Sequence, residues 1–330
     1  MSHRDRLPLT YDESRARFRH AAAQAGLAVD AHAIRARGPF GQELTIDITQ
    51  VGPTTPRRAL AALSGVHRVE GFACSEAQTE LLLRRDELDL PDDVALVVVH
   101  AVNPWGMAHG RRQNESNVDL NRNWRRDELE PVHNDAYDAL HPLACPDTAD
   151  LPTADDLLAT VAPVLAERGE AWVRAAITTG QYRHPDGLHY GGERTEASTR
   201  VLQADLPGRL AGAEQVLVLD LHSGHGPRGE IVLLSAQPPG SEQDRFLRAA
   251  FGPVVATEGD PTATTVTKSG SIANGLGALL PGAQCHAVVL EVGTAGDLEQ
   301  LVATYQEQGV HRRGDLADPA HRAARDRYRD

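Results

Sequence analysis

Three runs constrain this chain more than anything else in it: "VALVVVHAVN" (94–103), "QVLVLDLHSG" (215–224) and "CHAVVLEVGT" (285–294). Each is an almost unbroken Val- and Leu-rich stretch of strand length, the pattern of a β-strand buried on both faces. Such strands need cover on both sides, and helical patterns alternate with them. "YDESRARFRHAAAQAGL" (11–27), "SEAQTELLLRRDEL" (75–88), "TADDLLATVAPVLAERG" (153–169), "SEQDRFLRAAFG" (241–252), "GSIANGLGALLPG" (270–282) and "GDLEQLVATYQEQG" (296–309) read as helices. Ser75, with Gln78 three residues on, reads as the N-cap of the second. "ELTIDITQV" (43–51), "RALAALSG" (58–65) and "GEIVLLSA" (229–236) add strands. The alternation implies an α/β fold with a central, mixed, mostly parallel sheet flanked by helices. We expect a single domain over 1–330, an insertion at roughly 126–195 over the edge of the sheet, and a charged tail at 313–330.

Composition narrows the function. The 330 residues are 41% hydrophobic, enough for a packed core, but only 4% aromatic, so Ala, Val and Leu must fill it. A net charge of -13 with no Lys/Arg stripe argues against nucleic acid as a partner. The opening "MSHRDRLPLTYDESRARF" has no apolar signal core, and no stretch nears the roughly 18 apolar residues of a membrane span. The expectation is a cytoplasmic protein with no membrane partner. Cys74, Cys145 and Cys285 are odd in number and lack a C-x-x-C pair, so they read as core residues or bystanders.

Polar residues follow the buried strands in a way chance would not arrange. His67 and Glu70 in "SGVHRVEGFACSE" follow the "ALAAL" run, on what reads as a glycine-flanked bend; Asn103 follows "VALVVVHAV". His222 follows "QVLVLDL" and Glu291 follows "HAVVL". Ligands of α/β sheets bind at the carboxyl ends of strands, and two histidines and two carboxylates are directed there. Catalytic zinc commonly takes two His and one Glu and keeps one position open, a set that His67, Glu70 and His222 supply. Glu291 would then be the base that moves the proton of an attacking water. Asp220 shares a strand face with His222, and either orients that imidazole or serves as a solvent-facing or capping residue. Downstream of Asn103, "GRRQNESNVDLNRNW" offers Arg111, Arg112, Asn121 and Arg122. One guanidinium can clamp a substrate carboxylate and a second can stabilise an oxyanion.

The ordered set H-x-x-E, "DLNRNW", "DLHSG" and "LEVGT" resembles the zinc carboxypeptidase superfamily, which also contains aspartoacylase and succinylglutamate desuccinylase. "SGVHRVEGFACS", "VNPWGMAHGRRQNESNVDLNRNW", "GQYRHPDGLHYGG" and "DLHSGHGPRGE" resemble more specifically an uncharacterised bacterial branch of zinc-carboxypeptidase-like proteins, over roughly residues 60–300. The resemblance implies a three-layer α/β fold with one Zn2+ ion. It implies His67, Glu70 and His222 as ligands and Glu291 as general acid/base. Asn121 and Arg122 match the pair that holds a terminal carboxylate, and Arg112, ahead of Arg111, maps to the oxyanion arginine. Two positions depart from the pattern: Arg68 stands where the branch has glycine, and His189 where it has an aromatic. The substrate-covering tyrosine has no match by motif, and Tyr190 or Tyr182 could substitute for it. His184, His189 and His225 are expected near the site, with substrate contact or local hydrogen bonding as alternatives. The expected activity is hydrolysis of an amide next to a carboxylate-bearing group. The substrate would be a peptide, for a carboxypeptidase, or a small N-acyl amino acid, for an aspartoacylase-like deacylase. An ester or lactam hydrolase would use the same site. A catalytically silent zinc- or peptide-binding protein is the non-enzyme alternative.

Overall fold

A computed structural model describes residues 7–124, 133–145, 147–148, 150–224, 226–257, 268–294 and 296–327. The three Val-rich runs form β4 (Val94–His100), β5 (Gln215–Gly224) and β8 (Gln284–Gly293). They belong to one eight-stranded sheet with β1 (Asp30–Arg37), β2 (Glu43–Val51), β3 (Arg58–Leu63), β6 (Ile231–Ser235) and β7 (Val255–Thr257). The order is β1-β2-β4-β3-β5-β8-β6-β7. The inner four, β4-β3-β5-β8, run parallel; β1 against β2, β2 against β4 and β6 against β8 are antiparallel. The sheet is therefore mixed and mostly parallel at its centre, flanked by helices as expected.

Period-2 alternation explains the double burial. On β4, Leu96 and Val98 join Phe18, Ala21, Ala22 and Leu82 on the side of α1 (Tyr11–Gln24) and α2 (Arg68–Leu83). Val97 and Val99 join Leu202, Leu206, Ile272 and Leu276 on the side of α7 (Ala197–Arg209) and α9 (Ile272–Leu276). Each fully buried side chain of this kind contributes about 1.5–3 kcal/mol. The remaining helices are α3 (Pro104–His109), α4 (Asp135–Ala144), α5 (Ala154–Arg168), α6 (Glu170–Thr178), α8 (Glu242–Phe251), α10 (Asp297–Arg313) and α11 (Pro319–Arg327). No helix among the described residues is long and apolar enough to cross a membrane. Cys74, Cys145 and Cys285 are free thiols.

Two local expectations change. The second helix begins at Arg68 rather than after Ser75, so His67 is its N-cap residue and Glu70 lies in its first turn, not on a bend. The Ser-x-x-Gln spacing mimics a capping box, but Ser75 Oγ meets Ser14 Oγ at 2.7 Å. Gln78 is spent on Ser64 Oγ and on the carbonyls of Ala62 and Val99, tying together the carboxyl ends of β3 and β4. Gly65 makes the turn into the helix possible. Its φ is +70°, and a Cβ there would lie 2.7 Å from Met107 Sδ and 3.0 Å from Ala101 Cα.

Candidate metal centre

The carboxyl ends of β3, β5 and β8 are adjacent, with the chain leaving β3 toward β4 on one side and β5 pairing with β8 on the other. This is where open α/β sheets form a crevice. His67 and Glu70 enter it from the start of α2. His222 and Glu291 are register partners on β5 and β8, so they share a sheet face.

His67, Glu70 and His222 each offer a ligand atom, and these atoms lie within 4.8 Å of one another. His67 Nδ1 is 3.4 Å from Glu70 Oε1, and His222 Nδ1 is 2.6 Å from Glu70 Oε2. The ring backs are held by carboxylates: His67 Nε2 is 3.0 Å from Asp119 Oδ1, and His222 Nε2 is 2.9 Å from Asp220 Oδ2. An ionised carboxylate only accepts, so each Nε2 carries a hydrogen, and the Nδ1 of each ring faces Glu70, donating to it when the ring is protonated and offering a lone pair when the ring is neutral. With the rings neutral, two lone pairs and a carboxylate converge on one point and need positive charge between them. A proton answers part of that need, and a metal cation answers all of it. Among the described residues His67 Nδ1 is buried with no hydrogen-bond partner, as a group set aside for a ligand would be. The donor set and the carboxylate–histidine backing both suit zinc.

Electrostatics agree. Burial alone would raise the Glu70 carboxyl, but the His222 and His67 imidazoles outweigh it and hold it well below the usual carboxylate range. Burial would lower the His222 imidazole, but Asp220 and Glu70 push it well above its ordinary value. Glu291 moves the other way: burial first and Glu70 second raise it, opposed by His222, Lys268 and His67. Among the described residues Glu291 Oε2 is buried without a hydrogen-bond partner.

Asp119, singled out by none of the sequence reasoning, is the hub of the support. It is fully buried and accepts from His67 Nε2, from His189 Nδ1 at 3.1 Å and from the Asn121 amide at 3.0 Å. Burial pushes its carboxyl up, yet His67, Arg122 and Arg112 hold it well below the usual range. The one signal for it is its place as N-cap of the 3-10 turn Leu120–Arg122 inside "DLNRNW".

The other expected site residues divide. Arg112 reaches the centre, 3.5 Å from both Glu70 Oε1 and Asp119 Oδ2. Arg111 does not: its guanidinium is buried against α10, 2.7 Å from Glu307 Oε1 and 3.1 Å from Gln308 Oε1. This corrects the expectation of a substrate contact. Asn121 and Arg122 are likewise built into the support. Asn121 Nδ2 donates to Asp220 Oδ2 at 2.9 Å and its Oδ1 accepts from the Ile272 amide at 3.1 Å. Arg122, 2% exposed, donates to the carbonyls of Asn121 and Thr178. Tyr190 is buried and its carbonyl holds the Asp119 amide. Tyr182 Oη donates to the Arg122 carbonyl at 2.7 Å. His184 turns to α4 instead of the centre, 2.8 Å from Asp138 Oδ1 and stacked on His141. His225 and the Arg68 side chain lie outside the described residues.

The model of a family described as "Protein of unknown function (DUF2817)" matches residues 8–330, and the chain belongs to that family. Among solved structures, bovine thrombin-activatable fibrinolysis inhibitor in complex with tick carboxypeptidase inhibitor is similar at 12% identity and a TM-score of 0.52. That match covers 99% of this chain and 98% of the other. A second structure of thrombin activatable fibrinolysis inhibitor gives 12% identity and 0.50 over 96% of this chain and 73% of that one. A metallo-carboxypeptidase from Burkholderia cenocepacia gives 13% identity and 0.47 over 92% and 68%. No curated protein matches. The likeness shows that the chain has the zinc-carboxypeptidase-like α/β fold.

Proposed function

We propose that this protein is a zinc-dependent hydrolase that cleaves an amide next to a carboxylate-bearing group, of the metallocarboxypeptidase type. The observation that carries the reading is the His67–Glu70–His222 triangle, with both imidazoles backed by buried carboxylates and Glu291 beside it. In this reading His67 Nδ1, His222 Nδ1 and Glu70 hold one Zn2+. When bound, zinc supplies Lewis acidity that polarises a carbonyl and acidifies a water to a pKa of about 7. Glu291, its Oε2 buried and without a partner among the described residues, takes the proton of the attacking water and returns it to the leaving nitrogen. Arg112, held between Glu70 and Asp119, is positioned to stabilise the oxyanion with its guanidinium. Asp119 and Asp220 fix the tautomer and tilt of the two rings. The single-domain reading of 1–330, with 126–195 forming one wall of the site, is part of the proposal; Gly180 against Arg122 and His189 against Asp119 support it.

A panel of short peptides and N-acyl amino acids, assayed with zinc added and with a chelator, tests the reading. Hydrolysis should vanish on chelation and return with zinc. The preferred half of the panel distinguishes a carboxypeptidase from a deacylase. Binding of peptides with no hydrolysis under any metal condition would replace the enzyme with a silent binder.

A further inference from the structure

Asp119 backs the His67 imidazole, and a carboxylate aims a ring well only when both of its oxygens are held, because rotation about its Cβ–Cγ bond is soft. Oδ1 meets His67 Nε2 at 3.0 Å and the Asn121 amide at 3.0 Å. Oδ2 meets His189 Nδ1 at 3.1 Å, with Arg112 Nη2 farther off at 3.5 Å. The ionised carboxylate only accepts, so His189 Nδ1 carries a hydrogen. Asp119 therefore lies between two imidazoles, one beside the metal centre and one on the loop that follows α6.

The backbone takes an uncommon conformation to put His189 there. Its φ is +52°, in the left-handed region that residues other than glycine seldom adopt. The chain on both sides is held. The Leu188 amide donates to Tyr137 Oη at 2.7 Å, and the Leu188 side chain is buried with Tyr137 and Cys145. The His189 carbonyl accepts from the Gln181 amide at 3.2 Å, and the Tyr190 carbonyl accepts from the Asp119 amide at 2.8 Å. Asn117 Nδ2 donates to the carbonyls of Pro185 and Gly187 at 2.8 and 3.1 Å, and Gln308 Nε2 donates to the Asp186 carbonyl at 2.7 Å. A strained residue persists only where its surroundings over-determine it, and such residues gather at functional sites.

We propose that His189 is a positioning residue of the metal centre: by fixing Asp119 it aims His67, so that zinc affinity depends on the seating of the loop 181–191. The proposal rests on the metal-binding reading above. It gives the insertion a part in holding the metal although none of the three ligands comes from it.

Three variants separate the hydrogen bond from the ring and from the backbone. His189→Asn keeps an N–H donor one bond beyond Cγ, where Nδ1 stands, and asparagine tolerates the left-handed backbone. His189→Phe keeps the ring and loses the donor. His189→Gly relieves the backbone and loses the donor. Zinc affinity, read by competition against a fluorescent chelator, should fall about tenfold in His189→Phe and His189→Gly, the lower end of what loss of an outer partner of a metal-binding imidazole costs. His189→Asn should recover most of that loss. Urea unfolding without zinc establishes that each variant is folded. Wild-type affinity in both donor-less variants would overturn the proposal, and so would an equal loss in all three, which would make His189 a packing element. A second arm needs no metal. In spectra of zinc-free protein carrying isotope-labelled histidine, the His67 Nε2–H signal should be sharp in the wild type and His189→Asn, and broadened by solvent exchange in the other two. A wild type that takes up no zinc would fell the metal-binding reading alone, and this signal would then decide His189. Identical His67 signals in all four proteins would refute the positioning role.

Discussion

Asp119→Asn replaces one oxygen of the carboxylate on which the candidate site is hung, at nearly constant volume. In the wild type, Asp119 Oδ1 serves His67 Nε2 at 3.0 Å and Oδ2 serves His189 Nδ1 at 3.1 Å, with Arg112 3.5 Å from Oδ2. The amide keeps one acceptor and turns an NH2 toward donors on the other side. Either His67 or His189 then loses its partner, and the buried Arg122, 3.8 Å from Asp119, loses its counter-charge. Removal of a carboxylate that backs a metal-binding imidazole typically costs 10–100-fold in affinity, about 1.4–2.7 kcal/mol. The fold should lose a further ~2–3 kcal/mol from the unbalanced buried guanidinium. Zinc affinity is read by competition against a fluorescent chelator, stability by urea unfolding, and integrity by circular dichroism. A folded Asp119→Asn protein that binds zinc as tightly as the wild type would refute the claim that Asp119 orients His67.

The support yields two further expected outcomes. Glu307→Gln leaves Arg111 charged in a site where both side chains are no more than 5% exposed. It should lower unfolding free energy by about 3 kcal/mol, read by urea denaturation; a loss under ~1 kcal/mol would show that the pair does not hold α10. The second concerns acid. Asp47 is fully buried; burial raises its carboxyl, but hydrogen bonds from Arg19 and Thr45 and the charge of Arg15 outweigh that and lower it. A depressed folded value means the stabilisation is present above the unfolded value near 3.8 and is lost as pH falls through the folded one. The wild-type unfolding midpoint should therefore fall more steeply below pH 4 than that of Asp47→Asn, and parallel curves would contradict the assignment.

What the sequence reveals depends on where each residue finds its partners. β4, β5 and β8 are legible because burial on both faces forces an apolar run. β1 is not, because it is an edge strand with one buried residue, Ile34, and no alternation strong enough to read. α7 escapes because Pro207 and Gly208 end its pattern early. His67, Glu70 and His222 converge as expected because strand ends define one edge of the sheet. Arg111 misleads because it finds its partner 196 residues away on α10, a distance no motif records. Asp119 stays hidden because its hydrogen bonds go to His67 and to His189, 52 and 70 residues away. Period and spacing report faces and ends; long-range polar pairing needs the folded chain.

The central claim is that His67, Glu70 and His222 hold one metal ion beside a working Glu291. Zinc stoichiometry and turnover measured together on the wild type and on Glu291→Gln test it most directly. The account expects one zinc per chain in both proteins, with kcat on the best panel substrate about 10²–10⁴-fold lower in Glu291→Gln. A wild type that takes up no zinc, or a zinc-loaded Glu291→Gln that turns over substrate at the wild-type rate, would contradict it.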